Sequence, residues 1–217
     1  MLKCIKITQK KTKLNKSITL VFIILVVFTA CNSRKQTKSD LEIEFVQDTL
    51  EVGYTYWWEE SGPFIGQCGD ELSLVFSGTI TDIQEPTDEA GPLYNAQKGY
   101  IQIDSVFKTK YLGANSYANQ QFFVSDCFDG LELKKDDHVL VFCYDYENDL
   151  TIPGGQSILK IDALDDPLIT SIKKYIDADQ NPSKIKKDMK LWEKHGLDDA
   201  LGKVLECDGF STQQQPN

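Results

Sequence analysis

Six cysteines and two histidines have the widest chemical reach in this 217-residue chain, because such side chains serve as nucleophiles, metal ligands or disulfide partners. Cys4 and Cys31 lie near the N-terminus, and Cys68, Cys127, Cys143 and Cys207 are spread through the remainder. No two of those four lie within four residues of each other. Only His138 and His195 are present to complete a site, so the close ligand spacing of a zinc ribbon is missing. His138 opens an apolar run and His195 precedes Gly196; neither has a neighbouring serine or cysteine in the pattern of a nucleophile and its base. With 33 acidic residues, paired carboxylates are too plentiful to carry a signal. Asp177, Asp179, Asn181 and Asp188 have calcium-loop spacing, but Pro182 occupies the position that needs glycine for the sharp turn. Asp145, Glu147 and Asp149 alternate similarly, with Leu150 at the glycine position, and read as a hairpin tip. No catalytic residue, metal site or cofactor is predicted.

The remaining chemistry is aromatic. Tyr54, Tyr56, Trp57 and Trp58 fall within five residues, the densest such cluster in the chain. One reading makes them hydrophobic cover over the main domain. The other makes them a stacking platform for a sugar or peptide, since aromatic faces offer large contact area at low entropic cost.

The first thirty residues differ from everything after them. Residues 1–16 carry six lysines and no acid, and residues 17–30 read SITLVFIILVVFTA. That apolar run is shorter than the roughly 20 residues a membrane-spanning helix requires, and with its basic lead it reads as a signal peptide. Phe28-Thr29-Ala30-Cys31 resembles the lipobox of bacterial lipoproteins. The resemblance implies cleavage before Cys31, lipid attached to that cysteine, and a place in the bacterial cell envelope, periplasmic or surface-exposed. An uncleaved anchor or ordinary cleavage near Ala30 are the alternatives. Once the six leader lysines are gone, 17 basic residues face 33 acidic ones, a net charge near −16. Such a domain repels phosphate backbones, so nucleic acid is excluded as a partner. An exported chain meets oxidising conditions, which makes disulfides among Cys68, Cys127, Cys143 and Cys207 the expectation. Three connectivities are open. For Cys143, inside an apolar stretch, a buried free thiol is the competing reading.

The elements that must hold these residues are mostly strands. After a polar stretch at residues 31–40, read as a flexible tether, period-two patterns recur. Leu72, Leu74, Phe76, Gly78 and Ile80 share one face of a first strand, and Ile101, Ile103 and Phe107 one face of a second. Residues 122–124 form a third, residues 138–146 a fourth that is apolar on both faces, and residues 157–161 a fifth. Turn residues separate them: Pro86 with Gly91-Pro92, Asp129-Gly130, Glu147-Asn148-Asp149 and Pro153-Gly154-Gly155. Five short strands in about 90 residues point to a small barrel.

Leu74-Val75-Phe76-Ser77-Gly78-Thr79-Ile80, Ile101-Gln102-Ile103-Asp104-Ser105-Val106-Phe107-Lys108, Cys127 and Asp137-His138-Val139-Leu140-Val141-Phe142 together resemble the netrin-like, or tissue-inhibitor-of-metalloproteinase-like, OB-fold domain. The resemblance covers roughly residues 68–161. It implies a five-stranded OB-like barrel, with Cys68 and Cys127 where the family places cysteines, and lacks the cysteine usual after the fourth strand. Protease inhibition is one implied activity. The eukaryotic inhibitors use the free amine of an N-terminal cysteine on the protease zinc, and an acylated Cys31 has no such amine.

Beyond residue 164 the spacing becomes helical. Asp165-Asp166-Pro167 is a start signal before Leu168, Ile169, Ile172, Tyr175 and Ile176. A second amphipathic stretch follows Pro182, and a third contains Leu197, Leu201, Val204 and Leu205, with Gly196 as the stop between them. Lys184, Lys186, Lys187, Lys190 and Lys194 read as a solvated face, anionic lipid being the minority partner. The expected organisation is a signal peptide at 1–30, a tether at 31–40, an OB-like β domain at 41–164 and a helical extension at 165–217. The expected function is a lipid-anchored, non-catalytic binding module for an envelope or extracellular protein. A protease inhibitor and a hydrolase of envelope polymer are the alternatives.

Overall fold

A computed structural model describes residues 38–113 and 116–213 of the chain. The expected signal peptide, Cys31 and all but the last three residues of the expected tether lie outside the described residues. The strands are β1 (Val46–Glu51), β2 (Gly53–Tyr54), β3 (Leu72–Ile83), β4 (Gly99–Thr109), β5 (Gln120–Ser125), β6 (His138–Tyr146), β7 (Asp149–Ile152) and β8 (Ile158–Ile161). Three helices follow: α1 (Pro167–Asp177), α2 (Met189–Glu193) and α3 (Asp198–Gln213). The protein is mainly β with a few short helices, and its strands form one curled sheet in the order β1-β5-β4-β3-β6-β7-β2, with β8 attached to β6.

Eight strands replace the five expected. The alternation found β3, β4, β5, β6 and β8 because each buries an apolar face. It passed over β1, whose VQDTLE sequence buries only Leu50, over the two-residue β2, and over β7, taken as part of a hairpin tip. That tip is a two-residue turn in which Glu147 and Asn148 both have positive φ (55° and 68°), the geometry that joins twisted antiparallel strands without splaying them. β1 and β2 are separated by Val52 alone, yet β1 runs parallel to β5 and β2 parallel to β7. One nine-residue segment thus touches both ends of the sheet.

Strand β6 explains why both its faces are apolar. Val139, Val141 and Cys143 enter the core inside the curl, with Leu74, Phe76, Ile101, Ile103 and Phe123. Leu140, Phe142 and Tyr144 face a second core, capped by Leu168, Ile172 and Tyr175 of α1 and by Trp192, Leu197 and Leu201. The helical segment therefore shares a core with the sheet rather than trailing from it. Two expected face assignments change. Leu72 joins the helix-covered core while Leu74 faces the inside, because the β3·β6 register shifts between them. Phe107 leaves the face of Ile101 and Ile103, because Gly78 pairs with Ile103 and Ser77 with Ser105, so Asp104 is an extra residue on β4 and Val106 takes that face instead. A bulge of this kind sends the next side chain to the opposite face.

Helix α1 starts where expected. Asp166 caps it by accepting the Leu168 N–H at 2.8 Å, with Pro167 at its first position. The stretch after Pro182 forms two 3-10 turns before α2 rather than one helix. Beneath it, Trp192 Nε1 donates to Ser171 Oγ at 3.0 Å and Ser171 Oγ donates to Asp188 Oδ2 at 2.9 Å, a buried chain locking α1 to α2. Gly196 has φ 67°, the left-handed conformation expected of a helix-stop glycine.

The acids of the discarded calcium loop act as fasteners. Asp177 accepts the Ser39 N–H at 2.8 Å, Asp179 pairs with Lys38, and Lys173 reaches Asp40 at 2.7 Å. These contacts hold the last three residues of the expected tether against α1. Gln180, at φ 58°, accepts the Leu72 N–H at 3.0 Å and donates to the Asp70 carbonyl at 3.0 Å, fixing the start of β3. Among the described residues no helix is long and apolar enough to cross a membrane.

Candidate functional site

The aromatic cluster sits on the segment that leaves β2 and returns to the sheet only at β3. Its beginning is anchored by backbone: Thr55 N–H donates to the Ile152 carbonyl at 3.0 Å, and the hydroxyls of Thr55 and Thr151 hydrogen-bond beneath it. Its middle is held where Tyr144 Oη donates to the Gly62 carbonyl at 2.8 Å and the Gly62 N–H donates to Ser157 Oγ at 2.9 Å. Glu60 then accepts the Gly66 N–H at 2.7 Å and pairs with Lys203 of α3 at 3.3 Å. A disulfide between Cys68 and Cys207, with Cα atoms 5.3 Å apart, ties the end of the segment to α3. An irregular segment fixed at so many points gives its side chains defined positions without regular secondary structure.

The four aromatic residues divide between the two readings. Trp58 is half-buried, packs on the helix-covered core, and meets Tyr144 and Tyr146 edge-on at 6.1 and 6.0 Å. It is cover. Trp57 is 53% exposed and stands outward between Tyr56 at 4.9 Å and Tyr146 at 5.7 Å. Tyr54 and Tyr56 both touch Tyr94, at 4.9 and 5.4 Å. Tyr94 in turn donates its hydroxyl to Asp126 Oδ2 at 2.6 Å. Burial first, then that bond to a carboxylate, push the Tyr94 phenol well above its usual range, and burial raises Tyr54 as well. Both phenols therefore stay neutral, and Tyr94 keeps the proton it donates to Asp126.

Tyr94, Tyr144 and Tyr146 extend the four clustered rings to a belt of seven, and the sequence reading missed them because they arrive from other elements. The signal for two of them was present: Tyr144 and Tyr146 are two apart on β6 and so share a face.

Trp57 borders two clefts. One, of about 450 Å³, is lined by Trp57, Trp58, Glu59, Glu60, Ile65, Gly66 and Asp70. The other, of about 340 Å³, includes Tyr54, Trp57 and Tyr146 with Glu51, Glu147 and Asp149. Each brings three carboxylates to aromatic walls, and among the described residues neither has a lysine, arginine or histidine in its lining.

The cysteines partly correct the sequence reading. Of the four disulfide candidates, Cys68 and Cys207 are bridged, whereas Cys127 and Cys143 are free and buried. Both belong to the core inside the curl, where they act as small apolar side chains. Burial pushes the Cys127 thiol up to about 12 and raises Cys143 too, so neither supplies thiolate at neutral pH. Cys31 lies outside the described residues.

Strands β3, β4 and β6 bring together one polar constellation that sequence spacing did not reveal. Thr79 Oγ1 donates to Asp104 Oδ2 at 2.8 Å and lies 3.1 Å from His138 Nδ1. With its proton committed to Asp104, the hydroxyl must accept from His138 Nδ1–H. The arrangement orients the imidazole and does not activate the threonine. Among the described residues no group of three or more histidine, cysteine, aspartate or glutamate side chains is placed to hold a metal ion. No protein family and no curated protein matches this chain.

Proposed function

We propose that this chain is an exported lipoprotein of the bacterial cell envelope, acylated at Cys31, whose OB-like domain is a non-catalytic binding module for an envelope or extracellular protein. The leader composition and the Phe28-Thr29-Ala30-Cys31 motif support the anchor. The observation that carries the binding reading is Trp57, a large apolar side chain left 53% exposed on a segment anchored by strand pairing, hydrogen bonds and a disulfide. Rigid, exposed aromatic residues are the common anchors of protein recognition surfaces. The netrin-like barrel is supported by the strand pairing: β3 is shared between β4 and β6, β5 follows β4, and β8 lies antiparallel to β6. Those contacts are the ones that the first four strands of such a barrel would make, and β8, paired here with β6 alone, would be its fifth. In this chain β1 pairs with β5 along the remaining edge.

The test is crosslinking in native envelopes, followed by purification through a C-terminal tag and mass spectrometry. One stoichiometric protein partner, together with acyl mass on Cys31, is the expected result. Recovery of the lipoprotein alone would count against a protein-binding module and move glycan binding ahead of it.

A further inference from the structure

Resting on the binding-module reading above, we infer that the surface around Trp57 takes a cationic polypeptide segment, with lysine or arginine side chains entering the two clefts on either side of the tryptophan ring. Three observations converge on this chemistry. Trp57 stands between the clefts and presents its indole to both, and an exposed indole is the strongest aromatic partner for a cation. Glu51, Glu147 and Asp149 line one cleft and Glu59, Glu60 and Asp70 the other, with no basic side chain among the described residues of either lining. Lys203 of α3 engages Glu60, one of the acids lining the larger cleft, at 3.3 Å, so a lysine head already meets this surface.

Other occupants fit less well. An anionic polymer is repelled by six carboxylates. A neutral glycan can stack on the rings, but it would strip water from the carboxylates without supplying the opposite charge that offsets their desolvation. A divalent ion needs several oxygens around one point, and the acids here are not gathered into such a group. A long side chain with an apolar stem and a charged head matches aromatic walls and an acidic rim together. Clefts of about 340 and 450 Å³ are large enough for one such side chain each.

The experiment uses the purified chain with hexalysine as probe, and capped hexaglutamine and chitohexaose as comparators, read by tryptophan fluorescence and calorimetry. Hexalysine is expected to bind, and hexaglutamine and chitohexaose are not. Raising NaCl from 20 to 300 mM should weaken binding several-fold, because exposed charge pairs are screened within about 10 Å at 0.1 M salt. Trp57→Ala should weaken it roughly tenfold while leaving the thermal melt unchanged, the order expected for one partly desolvated cation–π contact. The double variant E51Q/E147Q should weaken it further and reduce the salt dependence. Equal hexalysine affinity in Trp57→Ala would reduce the effect to diffuse acidity and overturn the site. Salt-insensitive binding of chitohexaose in place of hexalysine would overturn the cationic assignment. Envelope crosslinking from residue 57 separates this inference from the reading beneath it. A partner captured through a segment lacking lysine and arginine overturns the cationic assignment and leaves the binding module standing, whereas capture of no partner counts against the module itself.

Discussion

Adjacent residues with the same side chain can answer to different physical demands, and Trp57 and Trp58 do. Trp58 packs on the helix-covered core, so Trp58→Ala removes contacts that cannot re-form and should cost about 2–3 kcal/mol, below the 3–5 kcal/mol typical of a fully buried ring. Trp57→Ala, at a mostly exposed position, should change stability by less than about 0.5 kcal/mol. Urea denaturation of the two variants checks the pair; equal losses would mean that both rings are structural. Trp192 is fully buried, and its indole N–H has Ser171 Oγ as partner. Ser171→Ala leaves that donor unpaired and removes a donor from Asp188, at an expected cost of about 1–3 kcal/mol in the same assay. His195 gives a pH dependence. Burial lowers its pKa in the folded state, against the smaller opposing pull of Asp166 and Asp162, with Lys194 reinforcing the decrease. The unfolded chain then binds a proton more readily than the folded one. This contribution is fully present above the unfolded value of about 6.5 and is lost as pH falls through the folded pKa. Stability measured from pH 7.5 down to 5 should decline, and His195→Gln should flatten the decline; an unchanged slope would show that His195 does not carry it.

At the scale of elements, α3 is tied to the segment carrying the aromatic belt by the Cys68–Cys207 bridge, across a sequence separation of 139. In the chain-entropy picture a loop that long is worth about 5 kcal/mol, and native disulfides of exported domains typically deliver 2–5 kcal/mol. The variant C68S/C207S should therefore lose about 2–5 kcal/mol in denaturant. Cys127 and Cys143 should resist alkylation until the protein unfolds, as peptide mapping would show. Elements that bury a stripe were legible in advance: β3, β4, β5, β6, β8, α1 and α3 all follow from apolar spacing. What escaped has local physical causes. β1 buries only Leu50 and takes its place through backbone pairing with β5, which leaves no trace in a side-chain pattern. Leu72 and Phe107 changed faces because a bulge breaks a strict period of two. The site was half legible. Four aromatic residues close together in the chain announced themselves, with Glu59 and Glu60 directly after them, while Tyr94, the β6 tyrosines and Glu51, Asp70, Glu147 and Asp149 reach them only through the fold.

For the whole molecule, the decisive quantity is charge. Residues 31–217 carry 17 basic against 33 acidic side chains, a net charge near −16, and even if every basic residue were paired that excess would remain. Ion pairs such as Lys110–Glu71 at 3.0 Å and Lys160–Asp137 at 2.9 Å offset it locally. Lys110 holds the Glu71 carboxyl below its usual range, and Lys160 does the same for Asp137. Salt acts on both contributions in opposite senses: it weakens the pairs, each worth at most about 1 kcal/mol at a surface, and it screens the repulsion among unpaired acids. Because acids outnumber bases nearly two to one, repulsion is the larger contribution and compacting the chain works against it. Raising NaCl from 20 to 200 mM at pH 7.5 should therefore increase unfolding stability, by an amount on the order of 1 kcal/mol. The same addition should weaken a cationic ligand at Trp57, so stability and binding should move in opposite directions along one titration. A fall in stability with salt would mean that the ion pairs outweigh the repulsion, and that the acidity of the clefts is balanced by neighbouring lysines rather than held open for a partner.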